Sequence, residues 1–180
     1  MSELDDAQAI LAIEASLASF TKLFDDDAAN RFNELRKCSF FNPIPTDWLK
    51  LISEQAEIST FQAGDFLTTE GDGMNAFYVI LFGSTTVYCN HKAVGTIVSG
   101  ECVGEGTFFD NGHIARSATV VADGQVIAAQ IDKLGIDRLQ SEAKAYMDKA
   151  LLLALFQKLQ GANRKIQSLS DRIEQLSVRI

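Results

Sequence analysis

The chain has 180 residues, of which 47% are hydrophobic and 22% charged, and its formal net charge is −8. This sign argues against DNA or RNA as a partner, because nucleic-acid binding depends on neutralising phosphates with Lys and Arg. The three cysteines are scattered without CxxC spacing, which predicts thiols of a reducing compartment rather than a disulfide framework or a metal site.

The first third of the chain predicts helices. Residues 6–24 carry apolar side chains at steps of three and four, which is typical of an amphipathic helix. Asp25–Asp27 interrupts the pattern and can cap a second helix. After the turn signal Asn42–Pro45, Thr46 is predicted to cap a third, short helix. Residues 1–56 are therefore predicted to form an N-terminal helical segment.

The chain carries no signal for membranes or secretion. Its first residues are acidic, which is the wrong charge for a secretory signal peptide. No apolar run approaches the roughly 20 residues that a membrane span needs. We therefore expect a cytoplasmic protein without a membrane span.

Residues 57–131 change to runs of β-branched and aromatic residues separated by glycine-containing turns. The predicted strands include residues 77–82, 85–88, 94–98, 117–121 and 126–131. Short strands with frequent turn signals predict a compact all-β roll or barrel rather than βαβ units. Asp132 is the predicted N-cap of the helical remainder, residues 132–180.

A heptad repeat runs along this remainder to the last residue. Position a holds Leu or Ile and position d holds Leu except at one Ala; the members are Leu152, Leu155, Leu159, Ala162, Ile166, Leu169, Ile173, Leu176 and Ile180. Mostly β-branched residues at a with Leu at d favour a parallel two-stranded coiled coil, and so a homodimer. The alternative is a helix that packs on its own domain, which needs only one apolar stripe. The basic column at position g is predicted to be a solvated face or, alternatively, a contact for an acidic partner; it comprises Lys158, Lys165, Arg172 and Arg179.

The loop between Val103 and Val120 carries the strongest chemical signal. It holds a carboxylate, Glu105, and a guanidinium, Arg116, among apolar residues that are predicted to lie in the interior, namely Val103, Phe108, Phe109, Val120 and Val121. Buried charges are costly unless each meets a partner. A small anion with hydroxyl groups would satisfy both, as a phosphosugar does; the alternative is a buried ion pair between the two side chains.

In its β-rich part the chain resembles the cyclic nucleotide-binding domain of catabolite-activator and protein-kinase regulatory-subunit type. The resemblance covers about residues 31–169 and culminates in Gly104-Glu105 with Arg116-Ser117-Ala118, which is similar to the family's phosphate-binding cassette. Its other matching segments are 35–41, 61–65, 70–72, 77–80 and Gly83. The resemblance implies an α+β fold, in which a jelly-roll-like β-roll is flanked by N-terminal helices and a long C-terminal coiled-coil dimerisation helix.

The resemblance also implies the ligand and its contacts. The ligand is expected to be a cyclic purine mononucleotide whose ribose 2′-hydroxyl is accepted by Glu105 and whose phosphate is paired by Arg116. An Arg fork can donate two parallel hydrogen bonds to phosphate oxygens, and Ser117 can add a hydroxyl donor. Gly104 and Gly106 allow close backbone approach, and the N–H groups of Gly106 and Thr107 favour an anion.

Base recognition is implied less specifically. In the long helix, Asn163 can hydrogen-bond a base edge, either in its own subunit or from a neighbouring one. The residue after Arg116 is Ser117, where cGMP-selective members tend to have Thr, so cAMP is favoured over cGMP.

The expected function is a stand-alone dimeric sensor without a helix-turn-helix segment, acting on an unknown downstream partner. The alternative is a structural or interaction protein with a vestigial nucleotide site, which Gly106 and the long loop between Glu105 and Arg116 favour. An enzyme is not expected, since the two histidines, His91 and His113, lie in predicted turns without a catalytic pattern.

Overall fold

The computed structural model of the protein describes residues 28–109 and 114–177. The predicted helix over residues 6–24 and its Asp25–Asp27 interruption lie outside the described residues. Helix α1 spans Ala28–Lys37, a 3₁₀ turn spans Ser39–Phe41, and α2 spans Thr46–Glu54. The prediction that Thr46 caps α2 is wrong: Thr46 is the first helical residue and Pro45 occupies the N-cap position, where it can supply no side-chain hydrogen bond.

In the described part of the chain, eight strands follow α2, with one short helix between the sixth and the seventh. The strands are β1 Ala56–Phe61, β2 Phe66–Thr68, β3 Ala76–Phe82, β4 Ser84–Cys89, β5 Lys92–Val98, β6 Cys102–Val103, β7 Thr119–Ala122 and β8 Val126–Asp132; the helix is α3, Glu105–Phe109. They form two antiparallel four-stranded sheets, ordered β1-β8-β3-β6 and β2-β7-β4-β5. The α+β fold with a β-roll is therefore confirmed.

A short helix and a long helix follow the strands. Helix α4 spans Lys133–Asp137, and the Asp132 side chain accepts a hydrogen bond from the backbone N–H of Leu134 at 2.6 Å, so the predicted cap is confirmed. Helix α5 spans Ser141–Ser177 and continues well beyond the roll. Within the described ranges, no helix is both long and apolar enough to cross a bilayer.

Successive side chains of strands β3 and β8 point to opposite faces of their sheet and so contribute to two apolar cores. Phe77 and Val79 of β3 pack against the helices, while Tyr78 and Ile80 point between the two sheets. Because both faces of these strands are covered, their sequences are almost continuously apolar. The helix-side core also contains Met147 and Leu151 of α5.

A row of aromatic rings fixes α3 on the helix-side core. The rings of Phe40 and Phe77 have centroids 5.8 Å apart, and Phe77 meets Phe108 of α3 edge-on at 5.0 Å. Edge-to-face pairs of this kind stabilise a definite ring orientation in addition to burying apolar area. Phe108 thereby holds the start of α3, where Glu105 lies, against the roll.

The turn between β3 and β4 depends on a glycine. Gly83 has φ +87°, and a Cβ added there would overlap the backbone carbonyl oxygen of Gln125.

We expect Gly83→Ala to reduce the free energy of unfolding by more than about 1 kcal/mol, measured by urea denaturation. Gly124→Ala is the matched control, because no described atom lies within 4 Å of its Cβ position. Equal urea midpoints for the two variants would contradict this explanation.

Candidate functional site

Glu105 and Arg116 are both buried, with 8% and 5% of their surface exposed. Their predicted burial is therefore confirmed. They do not bind each other: Glu105 accepts from the Lys158 ammonium at 2.6 Å, and Arg116 donates to backbone carbonyls. The alternative of a mutual ion pair is therefore not what the structure contains.

Arg116 is fastened by its side chain and by its backbone. Its Nη1 donates to the Gly104 carbonyl and its Nη2 to the Ala76 carbonyl, each at 2.5 Å. Its backbone N–H donates to the Asp72 carbonyl at 2.7 Å, and its own carbonyl accepts from Gly71 N–H at 2.9 Å. The Glu70–Asp72 turn thus has a specific role, which is to hold the Arg116 segment beside β3.

Gly104 is required where the chain passes the guanidinium. Its φ is +85°, a region that residues with a Cβ seldom adopt, and an added Cβ would overlap Arg116 Nη1. Its carbonyl also accepts from the Thr107 hydroxyl at 3.0 Å. The glycine therefore lets the carbonyl before α3 meet both Arg116 and Thr107.

The electrostatics of the site follow from its burial. Burial lowers the pKa of Arg116 below its ordinary value, while electrostatic interactions with Tyr78, Glu105 and Asp72 act in the opposite direction. At Cys102, burial and then the charge of Glu105 raise the pKa of the thiol to about 12. A cation removed from water in this way gains more from an anionic ligand than an exposed one does.

The remaining predicted site residues differ in how far they are buried. Thr107 is buried, Ala118 is partly buried, and Gly106 and Ser117 are exposed beside the loop. The Thr68 hydroxyl donates to the Ala118 carbonyl at 3.2 Å, which joins the cassette to β2. Asn163 is exposed on α5 and lies about 140° around that helix from Lys158, away from the roll.

Lys158 is the site residue that the heptad pattern missed. The heptad pattern places it in a basic column that is predicted to be solvated or to contact an acidic partner, yet it is partly buried and pairs with Glu105 of its own chain. Lys165, one heptad later, donates to the Val94 carbonyl of β5 at 3.2 Å. The spacing along the helix could have indicated this contact, because Lys158 follows the apolar residue Leu151 by seven positions and so lies on the same helix face.

A separate cavity of about 720 Å³ lies on the outer face of the second sheet. Phe66 and Val121 face each other across β2 and β7, and Tyr88 faces Thr119 across β4 and β7. Val120, between Thr119 and Val121, is buried inside the roll. Since strand side chains alternate between faces, this cavity is on the opposite side of the sheet from the interior and does not include Glu105 or Arg116.

Comparison with known proteins finds similarity in the β-rich part of the chain. Residues 58–142 match the family model described as the cyclic nucleotide-binding domain. A cGMP-dependent protein kinase from Eimeria tenella is 31% identical over 83 residues, which are 46% of this chain and 8% of the kinase.

Solved structures show the same fold. The regulatory domain of Toxoplasma gondii PKA, crystallised with cAMP, aligns with a TM-score of 0.58 at 16% identity, over 68% of this chain and 48% of that one. The regulatory subunit of a cAMP-independent protein kinase A from Trypanosoma brucei aligns with a TM-score of 0.63 at 21% identity, over 79% and 51%. The chain thus spans less than a tenth of the kinase relative and about half of these two solved chains. Residues 58–142 are thus similar in sequence to the cyclic nucleotide-binding domain, and the chain shares its fold with these solved structures.

Proposed function

We propose that this chain binds a cyclic purine mononucleotide and transmits that binding to a partner through its helices. The observation that carries the proposal is the pair of buried, opposite charges, Glu105 and Arg116, which lie on neighbouring segments without binding each other. Of the five N–H donors of Arg116, two are used by described residues. The remaining donors can take a phosphate without breaking those bonds.

The proposed contacts follow from donor and acceptor chemistry. Arg116 and the exposed Ser117 hydroxyl donate to the cyclic phosphate, with backbone N–H groups of Gly106 and Thr107 nearby. Glu105 accepts from the ribose 2′-hydroxyl, because an ionised carboxylate can only accept. One carboxylate oxygen is bonded to Lys158, and the other remains for the hydroxyl.

The proposed ligand is cAMP in preference to cGMP. The argument is the residue after Arg116, which is Ser117 rather than the Thr that cGMP-selective members tend to have. The relatives are named for different specificities: a cGMP-dependent kinase, a regulatory domain crystallised with cAMP and a cAMP-independent regulatory subunit. Binding experiments must therefore include both nucleotides.

We also propose that two chains pair in parallel through α5. Four apolar residues of the heptad stripe are between 50% and 64% exposed in the single chain: Leu159, Ile166, Leu169 and Leu176. Leu159 and Ile166 lie about 100° around α5 from Lys158 and Lys165, the residues that are bonded to the roll. Leu169 and Leu176 lie further along the helix than Lys165. A second helix can therefore cover this stripe. Asn163 points away from its own Glu105, and in such a dimer it is a base contact for the neighbouring subunit's site.

Signal transmission would start at the ion pair between Glu105 and Lys158. This pair connects the site to α5 at a distance of 2.6 Å, so a ligand hydroxyl on Glu105 acts on the contact that positions the helix. A ligand shifts such an equilibrium only by its different affinity for the two helix positions. The proposed location is the cytoplasm, where the free thiols of Cys38, Cys89 and Cys102 would remain reduced.

Thermal unfolding with added nucleotide tests the proposal. At 100 times its Kd, the nucleotide should add about 2.7 kcal/mol to the stability of the folded state. 5′-AMP is the control, because it has the same base and ribose without the cyclic phosphate. Calorimetric titration against a panel of cyclic mononucleotides then ranks them, and the bound nucleotide should be recovered unchanged.

The second candidate function is a structural or interaction protein whose nucleotide site is vestigial. Gly106 favours this function, because it is exposed and has no side chain that could pack and hold this part of the loop in place. No stabilisation by either cAMP or cGMP, at millimolar concentration, would decide for this second function.

A further inference from the structure

The cavity on the outer face of the second sheet has the size and the lining of a ligand site. Its volume is about 720 Å³, which is typical of pockets that take small molecules. Phe66 of β2 and Tyr88 of β4 line it from the two sides of β7. Phe66 is 63% exposed, so the core of the roll does not depend on this ring. Because the solvent face of an antiparallel sheet is usually polar, aromatic rings grouped around a cavity there are typical of a binding surface.

Glu70 supplies a negative charge to this cavity. Its Oε2 accepts a hydrogen bond from Asn90 N–H at 3.0 Å, and its own N–H donates to the Thr119 hydroxyl, also at 3.0 Å. Both ends of the residue are therefore held in place. Its other carboxylate oxygen, Oε1, accepts no hydrogen bond from a described residue, and none of the described residues that line the cavity is Lys or Arg. The carboxylate is thus fixed at the cavity with one acceptor oxygen left for a ligand.

The turn between β4 and β5 adds an imidazole ring to the lining. Asn90 and His91 have φ +49° and +62°, as in the two-residue turns that connect hairpin strands, where glycine is common. Glycine adopts this left-handed backbone more readily than a residue with a Cβ does. His91 nevertheless occupies the position and lines the cavity. Fold stability alone does not explain this residue, whereas a ligand in the cavity would.

We propose that this cavity is a second binding site, separate from the nucleotide site, for a small organic cation: an amine or guanidinium attached to a flat apolar body. The cationic group donates to Glu70 Oε1, because an ionised carboxylate can only accept. The apolar body lies against Phe66 and Tyr88, and aromatic ring faces attract cations in addition. The net charge of the chain, −8, favours the approach of a cation over that of an anion. The inference does not depend on the proposed function, since Glu105 and Arg116 do not line this cavity.

Tryptamine is the probe for this site. Tryptophol is the matched control compound, because it has the same indole and two-carbon chain with a hydroxyl in place of the ammonium. Each is titrated into the isotope-labelled full chain at slightly alkaline pH, where free imidazole is neutral. The shifts of backbone amide signals then give both the location and the affinity of binding.

Three variants separate the charge from the aromatic surface. Glu70→Gln removes the charge but keeps an acceptor for Asn90 N–H. Phe66→Ser removes a ring that the core does not use. Glu57→Gln is the control for charge, because it makes the same change at an exposed position of β1, in the other sheet. The thermal midpoint of each variant shows that it is folded.

We expect tryptamine to shift the amide signals of Glu70, Asn90 and Thr119, and to bind the wild type at least about fivefold more tightly than tryptophol. Glu70→Gln should abolish this difference and leave tryptophol binding unchanged, whereas Phe66→Ser should weaken binding of both compounds. Glu57→Gln should resemble the wild type.

Four outcomes would overturn the inference. They are no saturable binding of tryptamine, equal affinity of the wild type for both compounds, a preference for tryptamine that persists in Glu70→Gln, and shifts confined to another surface. These titrations contain no cyclic nucleotide, so the proposed function stands or fails separately, by its own binding experiment.

Discussion

Replacing Arg116 with alanine is expected to weaken cyclic nucleotide binding by roughly ten- to a few hundredfold. The loss corresponds to a charge-assisted hydrogen bond worth about 1.5–3 kcal/mol. The same change should lower stability, because the carbonyls of Gly104 and Ala76 lose the donors that satisfy them. Calorimetric titration measures the affinity, at a temperature where the melting curve shows that the variant is folded.

Two further variants separate the guanidinium from general effects of charge. Arg138→Ala removes a cation of the same type from an exposed position at the end of α4, and its affinity should equal that of the wild type. Arg116→Lys keeps the charge but replaces the planar fork with a single ammonium, so its affinity should lie between those of the wild type and Arg116→Ala. An Arg116→Ala protein that is folded and binds as tightly as the wild type would refute the assigned role.

Much of the site could be predicted from the sequence because its burial is encoded locally. The apolar residues Val103 and Val120 are both buried, and they carry Glu105 and Arg116 inward with them. One local expectation failed. Phe109 was predicted to be a core residue but is 46% exposed, because α3 has only five residues and its buried face is taken by Phe108.

The partners of the two charges could not be predicted in the same way. Lys158 lies 53 positions from Glu105 in the chain, and its role depends on where α5 crosses the roll. A heptad pattern reports the periodicity of apolar residues and says nothing about the contacts of the positions between them. The two carbonyls that bind Arg116 are invisible to sequence motifs for a further reason, since backbone acceptors are the same at every residue.

The fold was predicted more completely than its boundaries. The strand predicted over residues 117–121 is β7, Thr119–Ala122. The two residues after Arg116 remain outside the ladder, where Cys89 donates to the Ser117 carbonyl and Thr68 donates to the Ala118 carbonyl. Just before β7 begins, these two carbonyls therefore accept hydrogen bonds from side chains and not from a neighbouring strand. The β-propensity of the residues does not predict this difference.

Leu169→Asp is expected to convert the proposed dimer to a monomer. Leu169 occupies position d of the heptad stripe and is 50% exposed in the single chain, so the domain itself does not depend on it. In a parallel pair the two aspartates would face each other across the seam, and each chain would lose an apolar contact worth about 2–3 kcal/mol. Two such losses raise the dimer dissociation constant by roughly 10³- to 10⁴-fold. Sedimentation at micromolar concentration measures the change.

Gln167→Asp provides the matched control, because it adds the same charge to an exposed position of α5 outside the stripe. It should remain dimeric. A dimeric Leu169→Asp protein would place the interface elsewhere, and a monomeric wild type would remove the dimer from the proposal.

The nucleotide affinity of the monomeric variant gives a second result. Since Asn163 points away from its own site, separation of the chains should weaken binding if that side chain serves the neighbouring subunit, whereas the contacts of Glu105 and Arg116 lie within one chain and persist.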